Sequence, residues 1–243
     1  MDAAKNQILS QLKRDILPLQ GFKKLRADNN INIGFRPIEK AFPNACFPIG
    51  CMHEFVSNTS SDIAATYGFI ACLLSKLMQL GGACVSISTT DILFPPALKS
   101  FGVDPEKVIF INLKKEKDIL YATEQALKCN KLTAVLVDIK NISFKESRRF
   151  QLAAEQSRVT GFIIRNQPYS VNTIACVSRW QITSIASELQ DAMPGVGFPR
   201  WNVELLKVRN GRPGSWQIEF TDKRLRHLLQ VAPIHNGQQK KAG

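Results

Sequence analysis

The chain has 243 residues, 44% of them hydrophobic, which is enough for one sizeable core. No apolar run reaches the roughly 18 to 20 residues of a membrane span and the N-terminus has no signal-peptide core, so a cytoplasmic protein without membrane contact is expected. A formal net charge of +12 and an isoelectric point near 9.6 point to acidic partners, either nucleic acid or an acidic face of another protein.

Residues 3–17 place Ile8, Leu9, Leu12 and Ile16 at helical spacing, predicting a short amphipathic helix before Pro18 and a basic linker. A Pro-containing connector (Phe35 to Pro48) leads to a core strand, Cys51–Val56, and a helix, Ser60–Leu80, closed by Gly81. Apolar strands at Ala83–Ser88, Val108–Asn112, Thr133–Asp138 and Gly161–Arg165 then alternate with helices near Pro95–Phe101, Asp118–Lys128 and Ser147–Ser157. Alternation of this kind predicts an α/β fold with a mainly parallel, twisted sheet and helices on both faces. The last third differs: Cys176–Ile182, Trp201–Arg209 and Ser215–Phe220 alternate polar and apolar residues between Gly- and Pro-rich loops, and read as antiparallel strands extending the sheet. The expected organisation is an N-terminal helix and basic linker (1–34), a core domain (35–232) and a disordered tail (233–243) rich in Gln, Lys and Gly.

The turn after the first strand, within Glu54 to Thr66, stands where a P-loop ATPase carries G-x-x-x-x-G-K-[ST]. Such a loop closes backbone N–H groups on the phosphates, neutralises them with Lys and holds Mg²⁺ with a hydroxyl. Here it reads S-N-T-S-S-D-I-A: Ser57 and Asp62 replace the glycines, Ile63 the Lys and Ala64 the hydroxyl residue, so a carboxylate is expected to face where phosphate would sit.

The order of elements resembles the RecA-like ATPase core, through CVSISTTDILFPPALKSFGVD (Cys84 to Asp104), TEQALK (Thr123 to Lys128), AVLVD ending at Asp138, and KVRNGRPG (Lys207 to Gly214). Within that superfamily the chain most resembles the ImuA family, through FPIGCMHEF (Phe47 to Phe55), ESRRFQLAAEQSRVTGFIIR (Glu146 to Arg165) and PRWNVELLKVRNGRPGSWQIEF (Pro199 to Phe220). The resemblance implies a structural partner in SOS-induced translesion synthesis. Its implied associates are an inactive Y-family-like polymerase homologue (ImuB), an error-prone replicative-type polymerase, and RecA or DNA. Neither catalysis nor a cofactor is expected, because the catalytic Glu position falls on Thr90, which cannot act as a general base at neutral pH, and Asp138 alone survives at the Walker B position. The short connectors, about Ile139 to Ser147 and Asn166 to Ile174, argue against strand exchange. An ATPase with an unusual loop, and a cell-division inhibitor of the SulA kind, are the alternatives.

Several side chains have two readings. Asp138 is a vestigial Walker B carboxylate or a polar strand end. Arg148 and Arg149 grip an oxyanion or acidic partner, or only expose a helix face. Arg209 and Arg212 contact a partner or DNA phosphate, or flank an ordinary Asn210–Gly211 turn. Trp180, Trp201 and Trp216 anchor an interface or fill the core. Cys46, Cys51 and His53 lack a fourth nearby ligand, so core packing and no metal site are expected. The six scattered cysteines suit reduced thiols better than a disulfide frame.

Overall fold

The computed structural model describes residues 11–12, 33–90, 93–188 and 197–228. The expected N-terminal helix (3–17) and tail (233–243) lie outside the described residues, apart from Gln11 and Leu12, which are helical.

Strands β1 (Met52–Ser57), β2 (Ala83–Ser88), β3 (Val108–Asn112), β4 (Leu132–Asp138) and β5 (Thr160–Asn166) alternate with helices α2 (Ser60–Leu77), α3 (Pro95–Ser100), α4 (Glu116–Lys128) and α5 (Phe144–Ser157). A short helix, α1 (Arg36–Glu39), precedes them, and β6 (Ser178–Ile185), β7 (Arg200–Val208), β8 (Gly214–Thr221) and β9 (Arg224–His227) follow. All join one sheet in the order β3-β2-β4-β5-β1-β6-β7-β8-β9. β1 to β5 pair in parallel; β7, β8 and β9 are antiparallel to their preceding neighbours.

One expectation is corrected here. β6 is parallel to β1 on one edge and antiparallel only to β7 on the other, so the parallel core has six strands. Its alternating pattern reflects partial exposure of one face (Trp180 and Ile182 buried, Gln181 and Thr183 half-buried), a property independent of strand direction. β9 has no counterpart among the expected strands.

Parallel strands read as continuous apolar runs because helices cover both faces. On one face, α2 buries Phe69, Ile70, Leu73 and Leu77 against Phe55, Phe162 and Trp180. On the other, α4 and α5 bury Ile119, Leu127, Phe150 and Ala154 against Met52, Val135 and Ile163. Each of these side chains larger than alanine contributes about 1.5–3 kcal/mol. Trp180 is fully buried and stacks on Phe55 at 6.1 Å between centroids. Trp201 is also core: its indole lies against α2 at Gly68, where a Cβ would stand 2.8 Å from the ring. Trp216 is half-buried and packs against the same cluster.

Candidate functional site

Asn58 and Thr59 alone connect β1 to α2, whose first helical residue is Ser60. Most of the sequence that a phosphate loop would need is therefore wound into helix. The junction closes on itself through a capping box: Asp62 N donates to Thr59 Oγ1 (3.2 Å) and Thr59 N donates to Asp62 Oδ2 (3.1 Å), while Ile63 N donates to Thr59 O (3.1 Å). Helix N-termini attract anions through free N–H groups and the positive end of the dipole. Here the Asp62 carboxylate, almost fully buried, already occupies that position. The carboxylate is held there by its own capping box, with Thr59 N as its partner. Ile63 packs against the core and Ala64 is exposed.

Beside this junction, the carboxyl ends of β1, β4 and β5 bring together Ser57, Asp138 and Asn166. Ser57 Oγ and Thr66 Oγ1 are 2.9 Å apart. Asp138 Oδ2 accepts from Tyr67 Oη (3.1 Å) and Asn166 Nδ2 (2.7 Å), so it is a hydrogen-bonded node rather than a solvated strand end. Burial raises the Asp138 pKa, opposed by those two hydrogen bonds, and raises that of Tyr67 further, with the Asp138 charge adding to the effect. Asn166 Oδ1 is buried and accepts nothing from the described residues. Thr90, beyond the end of β2, is exposed, and its carbonyl accepts from Ser88 Oγ (2.6 Å).

A buried ion triad, with no counterpart among the expected site residues, lies on the α5 side of the same strands. Glu54 (0% exposed) meets Arg165 (1%) at 3.0 Å and Arg179 (15%) at 2.5 Å. Arg165 also donates to the Lys140 and Ser170 carbonyls, and Arg179 to the Asn172 carbonyl. The core arginines thus hold the backbone of both connectors that follow β4 and β5. Their surface carries Tyr169, 83% exposed, with Lys140 Nζ 4.4 Å from the ring centroid.

His53 is a fully bonded core residue. A carbonyl can only accept, so Nε2 donates to Pro48 O (2.9 Å), and Nδ1 accepts from Ser178 Oγ (2.6 Å), which in turn accepts from Trp180 Nε1. Burial lowers its pKa to about 4. With both ring nitrogens engaged, His53 has no lone pair left for a metal, and among the described residues no group of three or more His, Cys, Asp or Glu could hold one. Cys51, Cys72, Cys84 and Cys176 are buried thiols; burial pushes Cys84 and Cys176 up to about 12, the latter helped by Glu54.

The predicted arginines do not converge. Arg148 and Arg149 sit in the second turn of α5, which starts at Phe144 behind the Ser143–Glu146 capping box rather than at Ser147 as expected. Arg149 pairs with Glu124, which also holds Lys128; Arg148 is exposed. Glu124 is held below the usual carboxylate range by its Lys128 hydrogen bond first and by Arg149 as well. Arg209 and Arg212 flank a β7–β8 turn docked onto the α1 connector: Arg212 N donates to Ala41 O, and a Cβ on Gly211 would lie 2.3 Å from that oxygen.

Sheet order, crossovers and the strand–turn–helix junction define a RecA-like α/β domain. The crystal structure of the RadB recombinase superposes with a TM-score of 0.56, at 12% identity, over 80% of this chain and 98% of that one. No protein-family model matches the chain. Protein ImuA of Caulobacter vibrioides, in strains NA1000 / CB15N and ATCC 19089 / CIP 103742 / CB 15, is 30% identical over 201 residues, spanning 78% of this chain and 82% of that protein. The chain belongs to the ImuA family. No helix among the described residues is long and apolar enough to cross a membrane.

Proposed function

We propose that this chain is a non-catalytic, cytoplasmic accessory protein of SOS-induced, error-prone translesion DNA synthesis, acting by binding other proteins rather than by turning over nucleotide. The observation that carries the reading is the closed β1–α2 junction. In this reading Ser57, Asp62, Ile63 and Ala64 are the remains of a P-loop, Thr90 stands at the lost catalytic Glu, and Asp138 is a vestigial Walker B carboxylate. A triphosphate approaching the junction would meet the Asp62 carboxylate at the helix end, with the Asp62 and Ile63 N–H groups already bonded to Thr59. It would find an aliphatic side chain in place of an ammonium. Mg²⁺ would have to take Asp138 from Tyr67 and Asn166. Family membership and the RecA-like sheet support the same reading.

The partners in this proposal are a Y-family-like polymerase homologue (ImuB) and an error-prone replicative-type polymerase, with RecA and the DNA backbone as further candidates. Arg148, Arg149, Arg209 and Arg212 are the contact residues it names. The 35–232 segment acts as the domain, with the basic 1–34 segment and the 233–243 tail as extensions. The test is a pull-down of a tagged ImuB homologue by the purified chain, alongside an ATP hydrolysis assay. Retention that is equal with and without nucleotide, and no hydrolysis above blank, are expected; ATP-dependent retention, or none by a folded chain, overturns the reading.

A further inference from the structure

A cleft of about 260 Å³ opens between the second half of α2, Phe101 and the β8–β9 hairpin, away from the β1–α2 junction. Phe101, Phe220 and Leu225 give it an apolar lining, the two rings 5.0 Å apart between centroids. Lys76, Lys223 and Arg224 supply the charge, and no described residue lining it is acidic. The carboxylate nearest in sequence, Asp222, is taken by Arg226 at 2.9 Å. Residues 200–228 carry seven basic against three acidic side chains, so the surrounding field has the same sign.

A second, independent observation concerns the backbone. Asp222 and Lys223 form the two-residue β8–β9 turn, and both are left-handed, at φ 52° and 57°. Turns of this type favour Asn-Gly or Asp-Gly, because glycine alone takes the second position without steric cost. Lysine holds it here, beside the cleft, where its ammonium adds to the rim.

We propose that this cleft docks an acidic segment of a partner protein. An apolar side chain seats on Phe101, Phe220 and Leu225, and flanking Asp or Glu carboxylates meet Lys76, Lys223 and Arg224. The inference rests on the partner-binding reading above and adds where, and by what chemistry, one partner is held. Charge disfavours the chain's own N-terminal segment as occupant: residues 1–27 carry six basic and two acidic side chains, the same sign as the rim.

The test pans a random twelve-residue peptide library against the full chain, then measures the enriched peptide on variants. The expected consensus has two or more carboxylates around an apolar residue. Its affinity falls at least 10-fold in the Lys223→Glu/Arg224→Glu variant and is unchanged in Lys114→Glu/Lys115→Glu, at the opposite edge of the sheet. Lys223→Gly separates binding from folding, because relief of the turn raises the melting temperature while the lost ammonium weakens the peptide several-fold. No enrichment, an acid-free consensus or wild-type affinity after charge reversal overturns the proposal. So does a single-stranded oligonucleotide that displaces the peptide, which would assign the cleft to nucleic acid. If the ImuB pull-down succeeds unchanged in Lys223→Glu/Arg224→Glu, the cleft fails and the wider reading stands. If the pull-down fails while acidic peptides bind the cleft, the reverse holds.

Discussion

Glu54→Gln tests whether the buried triad holds the connector end of the domain. The substitution keeps the shape of the side chain and removes its charge, leaving Arg165, 1% exposed, and Arg179, 15% exposed, without their carboxylate. Breaking a buried pair by removing one partner costs about 3–5 kcal/mol, because the remaining ion is uncompensated in a medium of low dielectric. Against a domain stability of about 5–15 kcal/mol, that is a large fraction of the whole. Urea unfolding followed by tryptophan fluorescence, with Trp180 and Trp201 buried in the core as reporters, should show a lower midpoint at an unchanged m-value. Hydrogen exchange should accelerate in the connectors whose carbonyls the two arginines hold, around Lys140 and around Ser170 to Asn172. Glu124→Gln is the control: its partners Lys128 and Arg149 are 50% and 59% exposed, so the change should cost about 0–1 kcal/mol. A Glu54→Gln loss below about 1 kcal/mol, no larger than the control, would refute the argument that burial makes this triad structural.

Other consequences follow from the same contacts. The unfolded chain takes up a proton at His53 near pH 6.5, whereas the native state resists until about pH 4. Stability therefore falls as pH drops through this window, by about 3 kcal/mol in total from this group; urea midpoints at pH 7, 5.5 and 4.5 should show the decline, and a His53→Gln variant that folds should lack this component. Thr59→Ala removes the side-chain half of the capping box and should cost about 1 kcal/mol in urea unfolding, with Thr59→Gly milder by comparison. Gly211→Ala forces a methyl to within 2.3 Å of the Ala41 carbonyl oxygen and should destabilise by about 1–3 kcal/mol. Lys223→Gly should instead stabilise by about 1 kcal/mol, read as a higher midpoint, because it relieves a left-handed lysine.

Much of the sheet was legible because its signal is local. Ala83–Ser88 and Val108–Asn112 are short apolar runs bounded by Gly and polar residues, and both strands have those limits. What escaped was non-local or too polar. β9 is Arg-Leu-Arg-His, with a single apolar residue, and only pairing with β8 makes it a strand. The parallel pairing of β6 with β1 is not legible, because alternation reports exposure, not the orientation of a neighbour. At the candidate site, the Thr59–Asp62 capping box is legible locally as T-x-x-D, although the same residues also align with a phosphate loop. The triad had no local signal at all: Glu54 lies 111 and 125 residues from its arginines within an apolar strand, and only strand order brings them together. Tyr67 and Asp138, 71 residues apart, meet for the same reason.

The central claim is that the β1–α2 junction no longer accepts a nucleotide, and titration calorimetry of the purified chain with ATP and Mg²⁺ tests it most directly. No saturable heat is expected up to millimolar ATP. Saturable binding at micromolar concentration that is abolished by Asp138→Ala in a folded protein would contradict it.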